Sequence, residues 1–287
     1  MGTLFRITVW TDRDPGVAIR AAFARVAELD DRLSDYKPDS ELNRLCRAGG
    51  GEPGDDLLAL LKASDRLARE TDGAFDVTQG PVVRLWREAR KSKRLPEPVA
   101  LMNAADRSGY QNLVIEGKRV QLLLPGMQLD LGGIAKGYAA DAALDVLKRA
   151  GFGAALVAAS GDLAMGDAPP EQAGWRVGID SFLAPKGEFA RVLTLRNCAV
   201  STAGDTEQFV EIDGARYSHI INPHTHRPLT NRIGVTVVAG KGIEADGLDT
   251  TLCVLGVARG LELLRRYQGA SAIFSSNRGY VPTGRFL

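Results

Sequence analysis

Apolar and polar residues follow two different periods along the first part of the chain. Residues 3–10 alternate apolar with polar side chains, which predicts a strand. Residues 15–33 and 55–71 repeat apolar side chains every three or four positions, the period of an amphipathic helix. Between the two helices, Pro38 and Asp39 predict a turn, and Ser40, with Asn43 after it, is a predicted N-cap.

Short strands dominate from residue 112 onward. We predict strands within residues 112–117, 118–126, 127–133, 155–166, 175–180, 191–202, 207–212, 216–221, 233–240 and 270–276. Two helices interrupt them, one over residues 134–151 and one from about 244 to 267 that is broken near Gly256. Many antiparallel strands with inserted helices favour an α+β fold over a doubly wound parallel sheet.

Charge and hydropathy exclude two classes of function. The 287 residues include 36 Lys and Arg against 35 Asp and Glu, a net charge of +1, whereas general nucleic-acid binders carry a large basic excess. No apolar run is long enough for a transmembrane segment. The first ten residues lack the charged and apolar regions of a signal peptide. We expect a cytoplasmic chain, or a periplasmic or membrane-anchored one if a signal segment has been removed.

The segment LDLGGIAKGYAAD is the first candidate for chemistry. Asp130 is predicted to end a strand, Gly132 and Gly133 to form a turn, and a helix to begin near Ile134. The N-terminus of a helix is a common anion site because its free N–H groups and dipole point outward. Lys136 falls on the apolar side of this helix, where burial is costly without an anion. The alternative is a lysine whose ammonium reaches solvent from the helix end.

The segment ADGLDTTLCVLG is the second candidate. On a helix, Asp246, Asp249 and Thr250 lie three or four residues apart and therefore share one face. Two carboxylates and a hydroxyl suit a hard cation such as Mg²⁺. The alternative is that acidic residues favour the first turn of any helix.

All three histidines, His219, His224 and His226, lie within eight residues. Their spacing is not a common structural zinc pattern, and the intervening proline predicts a turn, so a zinc site is the less favoured interpretation. A single functional His219 at a strand end, acting as a base, is favoured. Small-residue turns at residues 160–162 and 201–205 follow apolar strands and would let a ligand approach the backbone closely.

Taken in order, these segments resemble the ApbE family, the Mg²⁺-dependent FAD:protein FMN transferases once called thiamine-biosynthesis lipoproteins. The matching motifs are MGT, LSDYKPDSEL, GAFDVTQGPVVRLW, LDLGGIAKGYAAD, ASGD, AVSTAGD, SHIINP and ADGLDTTL. The resemblance covers essentially the whole chain. It implies one α+β domain over residues 1–287, built of antiparallel sheets with packed helices, with FAD and a metal in a cleft between two subregions.

The resemblance also implies an activity. Family members bind FAD and a divalent cation, cleave the pyrophosphate, and pass FMN to a threonine hydroxyl of an acceptor flavoprotein, with release of AMP. Some members instead hydrolyse FAD to FMN and AMP. A cation and a lysine at a helix N-terminus would neutralise the charge on the two phosphates.

Site residues carry over one by one from the family motifs. Asp246 and Thr250 match the metal ligands, and the backbone carbonyls of Gly133 and Asp249 match positions that join the cation. The positions that match flavin-nucleotide contacts are Met1, Tyr36, Ala74, Phe75, Asp76, Asp130, Lys136 and, at the strand end, Ile220. For the proton of the attacking hydroxyl, His219 is the first candidate and Asp76 the second.

Three positions depart from the family pattern. Ala203 replaces a hydroxyl residue, His226 stands where glycine is usual, and Asp249 stands where a small residue is usual. If the backbone at position 226 has a positive φ, histidine strains the turn. Binding of FAD and metal remains expected. The alternatives to transfer are an FAD pyrophosphatase and an FAD-binding protein without turnover.

Overall fold

The computed structural model describes residues 2–179, 189, 191–205, 208–276 and 279–286. The α-helices among them are α1 (Gly16–Leu33), α2 (Glu41–Ala48), α3 (Asp55–Glu70), α4 (Gly80–Ser92), α5 (Pro98–Ala105), α6 (Ala135–Arg149) and α7 (Gly242–Leu264). The strands are β1 (Phe5–Val9), β2 (Gly50–Gly51), β3 (Leu113–Glu116), β4 (Arg119–Leu122), β5 (Ala155–Ala159), β6 (Asp162–Met165), β7 (Trp175–Ile179), β8 (Arg191–Leu195), β9 (Cys198–Gly204), β10 (Phe209–Ile212), β11 (Ala215–Ser218), β12 (Ile221–Asn222), β13 (Arg227–Pro228), β14 (Gly234–Ala239), β15 (Ser271–Ser276) and β16 (Gly279–Pro282).

The chain forms two compact units. The first contains residues 1–30, 134–203 and 233–287, and the second contains residues 31–133 and 204–232. Both units combine helices with antiparallel pairs of strands, so the α+β class is as predicted. The assignment of residues 1–287 to one domain stays a prediction.

A seven-stranded sheet organises the first unit, with the order β1-β5-β6-β9-β14-β15-β16. The pairs β1–β5, β5–β6, β6–β9, β14–β15 and β15–β16 are antiparallel. Helices α1 and α6 pack on strands β5 and β6 through small side chains such as Ala22, Ala140 and Ala143, which are fully buried. Small side chains let the helices approach the sheet closely, and this holds α6 against the strands that carry part of the site.

The second unit contains a three-stranded sheet, β2-β4-β3, and the hairpins β10–β11 and β12–β13. Its core includes Trp86 of α4, which packs on Tyr217 of β11 with ring centroids 5.4 Å apart. Helix α2 begins as predicted, because the Ser40 hydroxyl accepts the Asn43 N–H at 3.0 Å. Gly49 ends that helix with φ 70°, a conformation that favours glycine.

Three predicted strands differ from the structure, and one helix was not predicted. Residues 191–202 are not one strand but parts of β8 and β9, which lie in different sheets. Residues 127–133 are not a strand, because their only ladder contact among the described residues is an isolated parallel bridge from Gln128 to Gln79. Residues 216–221 are two strands, since β11 ends before His219 and β12 begins after Ile220. Helix α5 was not predicted, because its two turns are too short to show a helical period of apolar residues. No helix in the described ranges has the length and apolar content needed to cross a bilayer.

Candidate functional site

Three buried aspartates converge on Lys136 in the first unit. We call Asp162, Asp246 and Asp249 the acidic cluster, because one carboxylate oxygen from each lies within 4.8 Å of the others. Lys136 Nζ lies 2.5 Å from Asp162 Oδ2 and 3.3 Å from Asp246 Oδ1. Lys136 therefore meets anions from the apolar side of α6, as its position in the sequence predicts.

The N-termini of α6 and α7 position Lys136 and Asp246, because each helix caps the start of the other. On α6, the Gly137 N–H donates to Asp246 Oδ2 of α7 at 2.8 Å. On α7, the N–H groups of Gly242 and Ile243 donate to the Asp141 carboxylate of α6 at 2.8 and 3.1 Å. Neither helix has a capping side chain at its own N-cap residue. Each helix therefore supplies the carboxylate that satisfies the free N–H groups of the other.

Burial and mutual repulsion raise the pKa values of the aspartates in α7. Burial, followed by the nearby Asp162, raises the pKa of Asp246 to about 7, although Lys136 and the Gly137 N–H oppose this. Burial, then Asp246 and Asp162, raises the pKa of Asp249 well above its ordinary value. Burial alone would lower the pKa of Lys136, but the surrounding carboxylates outweigh burial and raise it, so the ammonium stays charged.

The Ser201 hydroxyl of β9 lies between two of the carboxylates. It contacts Asp162 Oδ1 and, at 2.5 Å, Asp249 Oδ2. One hydroxyl hydrogen cannot serve both carboxylates at once, and protonation of Asp249, which its raised pKa favours, would let that carboxyl donate to the Ser201 oxygen. The other oxygen, Asp249 Oδ1, is buried and has no hydrogen-bond partner among the described residues.

These observations fit a divalent cation. With all three carboxylates of the acidic cluster ionised, as a bound cation would favour, one ammonium leaves two uncompensated negative charges, which one divalent cation would balance. Carboxylate oxygens are the ligands that Mg²⁺ prefers. Asp249 Oδ1 is buried without a hydrogen-bond partner among the described residues, and a cation would use its lone pairs. The half-buried Thr250 lies one turn after Asp246 on α7, and Gly133 lies two residues before α6. The metal roles of Thr250 and of the Gly133 and Asp249 carbonyls stay predictions.

A second polar network surrounds Asp76 in the second unit. Asp76 Oδ1 accepts the backbone N–H and the hydroxyl of Thr78 at 2.8 and 2.7 Å, and Oδ2 accepts the Gln79 side-chain amide at 3.1 Å. Burial raises the pKa of Asp76, although these hydrogen bonds oppose the shift. The preceding Ala74 and Phe75, both predicted flavin contacts, are buried.

Arg87 holds together three other predicted or neighbouring site residues. Its guanidinium pairs with Asp35 and, at 2.7 Å, with Asp130 Oδ2, and it lies 4.4 Å from the centroid of the Tyr36 ring. Burial raises the pKa of Asp130, and Arg87 opposes that shift. Tyr36 is 68% exposed, so its outer face is open to a planar ligand.

The three predicted histidines lie around the β12–β13 hairpin. His219 directly follows β11, and its Nδ1 is 3.2 Å from the Gln208 carbonyl oxygen. A carbonyl only accepts, so the neutral ring carries its hydrogen on Nδ1 and its lone pair on Nε2. Ile220 is buried beside it. The histidines form no group close enough to hold a metal, and the acidic cluster is the only such group among the described residues, which disfavours the zinc interpretation.

Asp162, Ser201 and Gln79 join these networks without having been predicted as site residues. Asp162 and Ser201 lie in the two small-residue segments that the sequence marks only weakly, at the start of β6 and within β9. Gln79 lies within the GAFDVTQGPVVRLW motif. Met1, predicted to contact the flavin nucleotide, lies outside the described residues.

Comparison with known proteins supports the resemblance. The sequence model of the ApbE family matches residues 1–274. The FAD:protein FMN transferase of Vibrio cholerae is 33% identical over 280 residues, which cover 93% of this chain and 83% of the relative. That of Treponema pallidum is 34% identical over 297 residues, which cover 96% and 82%.

Solved structures agree with the sequence relatives. The flavin transferase ApbE from Vibrio cholerae superposes with a TM-score of 0.87 at 31% identity, covering 99% of this chain and 94% of that one. The ApbE protein from Thermotoga maritima superposes with a TM-score of 0.88 at 27% identity, covering 99% and 95%. Since sequence and fold agree over nearly the whole length, the chain belongs to the ApbE family.

Proposed function

We propose that this chain transfers the FMN moiety of FAD to a threonine hydroxyl of an acceptor flavoprotein, with Mg²⁺ as the divalent cation and AMP as the second product. The observation that carries the proposal is the acidic cluster around Lys136, which has two more negative charges than Lys136 compensates when all three carboxylates are ionised, the charge of one divalent cation. The shared name of the relatives, FAD:protein FMN transferase, supports FAD as the substrate and a protein as the acceptor.

The transfer needs one bond made and one broken. The threonine oxygen bonds to the phosphorus of the FMN moiety, and the bond from that phosphorus to the oxygen bridging it to AMP breaks. AMP leaves with its phosphate, and the hydroxyl proton passes to a base. Phosphoryl transfer depends mainly on positioning and on charge neutralisation, so few covalent catalytic groups are expected.

His219 is the proposed base. In the neutral ring, a hydrogen on Nδ1 directed at the Gln208 carbonyl places the lone pair on Nε2, the nitrogen that would accept the proton. Asp76 is the second candidate, and the rise in its pKa brings that carboxyl nearer to neutral pH than an exposed aspartate.

Lys136 and the acidic cluster have complementary proposed roles. Asp246, Asp249 and Thr250 would hold the cation, with the Gly133 carbonyl and with Asp162 as an additional carboxylate. When bound, Mg²⁺ would neutralise negative charge on the pyrophosphate and on the leaving AMP. Lys136 would orient the phosphates from the first turn of α6, where the helix dipole also favours anions.

The proposal is tested with FAD, MgCl₂ and a candidate acceptor domain that carries a threonine. Mass spectrometry of the acceptor should show an added FMN, and chromatography should show an equal amount of AMP. Asp246→Asn should abolish both products, whereas Asp145→Asn, an exposed carboxylate on α6, should leave both unchanged. If neither product forms with several acceptors, the proposal is wrong.

An FAD pyrophosphatase on the same site is the second candidate. Ala203, a buried residue of β9 without the hydroxyl of the family motif, is the departure that motivates this alternative. Release of FMN and AMP at the same rate with and without an acceptor would select hydrolysis. Tight binding of FAD without AMP at any Mg²⁺ concentration would select a binding protein instead.

A further inference from the structure

His226 has a strained backbone at a position where the family usually has glycine. Its φ is +54°, in the left-handed region, which glycine adopts freely and which costs most other residues free energy, asparagine less than most. The turn imposes this conformation, since the His226 N–H donates to the Asn222 carbonyl at 2.9 Å and its carbonyl accepts the Trp86 indole N–H at 3.0 Å. Glycine would adopt this turn without strain, so the turn itself does not require the histidine side chain.

The ring of His226 contacts one residue that in turn contacts Asp76. His226 Nδ1 lies 3.1 Å from Gln79 Oε1, and Gln79 Nε2 donates to Asp76 Oδ2 at 3.1 Å. The carboxylate accepts, so the Gln79 amide must present its nitrogen to Asp76 and its oxygen to His226. His226 Nδ1 therefore carries the hydrogen and donates it.

Gln79 is buried, with 4% of its surface exposed, so water cannot readily take the place of a hydrogen-bond partner that Gln79 loses. Without the ring, the Gln79 amide oxygen has no donor from His226, and the amide is free to turn away from Asp76. The hydrogen bond from Gln79 favours the ionised form of Asp76 and lowers the pKa of that carboxyl. The hydrogen bonds from Thr78 hold only the other oxygen, Oδ1.

We propose that His226 is a positioning residue for Asp76, acting through the side chain of Gln79. This inference rests on the proposed function, in which Asp76 contacts the flavin nucleotide and is the second candidate for the base. In this view, the backbone strain at His226 costs stability, and the fixed position of the Asp76 carboxylate is the functional gain. Glycine at this position would relax the turn and lose the contact.

The surroundings of His226 keep the ring neutral near pH 7. Burial lowers its pKa, and His224 adds to this, while Asp76 and Asp106 act in the opposite direction. Besides burial, the groups that act on Asp76 include the hydrogen-bond donors of Thr78, Gln79 and the backbone of Tyr110. Asp76 and His226 also interact directly by charge, so the contact through Gln79 is isolated by comparing the single substitutions of His226 and Gln79 with their combination.

The test compares His226→Gly with His226→Asn. Glycine removes both the strain and the ring, whereas asparagine tolerates a positive φ and offers an amide N–H at the position of Nδ1. For His226→Gly we expect an unchanged or higher melting temperature, about tenfold slower AMP release, and an acidic limb of the rate profile at higher pH. His226→Asn should recover most of the rate. His224→Asn, in the same loop, is the matched control and should behave as the wild type.

A second readout needs no turnover. The pKa of Asp76, followed by NMR of ¹³C-labelled aspartate carboxyls, should rise in His226→Gly and in Gln79→Leu, and should rise no further when the two substitutions are combined. An unchanged Asp76 pKa in His226→Gly would overturn the inference even if the enzyme is active. If the wild type releases no AMP, the proposed function fails while the NMR titration still decides the role of His226.

Discussion

The backbones of Gly137 on α6 and Gly242 on α7 meet without room for a side chain. A Cβ built on Gly137 would lie 2.1 Å from the Gly242 carbonyl oxygen, and one built on Gly242 would lie 2.4 Å from the Gly137 carbonyl oxygen. This approach brings the first turns of both helices together, and with them Lys136 and Asp246. The acidic cluster therefore depends on two residues that have no functional groups.

Substitution Gly137→Ala should separate the two helices. The added Cβ meets backbone, which cannot move aside like a flexible side chain, so we expect strain of about 3 kcal/mol, the upper end for overpacking. Alanine in a helix interior regains about 1 kcal/mol, so the free energy of unfolding should fall by about 2 kcal/mol. Urea denaturation measures the change, and Gly240→Ala, where a Cβ meets nothing within 4 Å, is the control. Equal stability of Gly137→Ala and the wild type would contradict the close packing.

Substitution Lys136→Met should separate metal binding from turnover. The ammonium competes with a cation for the oxygens of Asp162 and Asp246, so its removal should strengthen Mg²⁺ binding in calorimetry. AMP release should nevertheless fall by about 10²-fold or more, since one charged contact to the phosphates is lost. Lys148→Met, at the exposed end of α6, should change neither quantity. Weaker Mg²⁺ binding in Lys136→Met would contradict this arrangement.

The stability of the metal-free protein should fall as pH rises from about 4 to 7. Asp246, with its pKa raised to about 7, and Asp249 hold protons in the folded state that the unfolded chain has already released. The folded state binds more protons in this window, so the free energy of unfolding decreases with pH and then levels off. Urea denaturation in EDTA from pH 4 to 8 measures this.

Mg²⁺ should reverse the trend, because the cation binds the ionised carboxylates and its stabilisation grows as pH passes 7. Asp76, Asp130 and Asp141 also have raised pKa values, so the part due to the cluster is the difference between wild type and Asp246→Asn. A difference that does not vary with pH would show that Asp246 titrates normally.

Substitution Arg87→Lys should weaken FAD binding. A lysine cannot pair with Asp35 and Asp130 together while lying flat on the Tyr36 ring, because it lacks the planar fork of the guanidinium. We expect about tenfold weaker binding of FAD, measured from flavin fluorescence, if Tyr36 and Asp130 contact the nucleotide. Arg94→Lys, at an exposed position after α4, serves as the control. Unchanged affinity would remove Tyr36 and Asp130 from the proposed contacts.

Local periodicity predicted the parts of the site that lie on one helix. The spacing of Asp246 and Asp249 placed both on one face of α7, and the period of α6 placed Lys136 on its apolar side, as the structure has them. The kink of α7 is also at the predicted glycine, since Gly256 has φ 70°. These features depend on residues three or four positions apart, which a sequence displays directly.

Contacts between distant segments were beyond such reasoning. Asp162 reaches Lys136 only because α6 packs on the β5–β6 hairpin, and nothing near Asp162 in the sequence signals this contact. Residues 127–133 have the alternation of a strand but pair only at Gln128, because ladder formation needs a neighbour that alternation does not reveal. The sequence predicted strain at His226 if its φ is positive, but it could not show that the ring contacts Gln79.

The exchange of caps between α6 and α7 constrains how this protein can be recombined. Asp246 and Gly137 lie 109 positions apart, and Asp141 and Gly242 lie 101 apart, so each helix start is completed by a distant part of the gene. A chimera that joins α6 from one family member to α7 of another inherits both helix starts only if its parents match at all four positions. We therefore expect chimeras with a crossover between α6 and α7 to fold least well when their parents differ at Asp141 or Asp246.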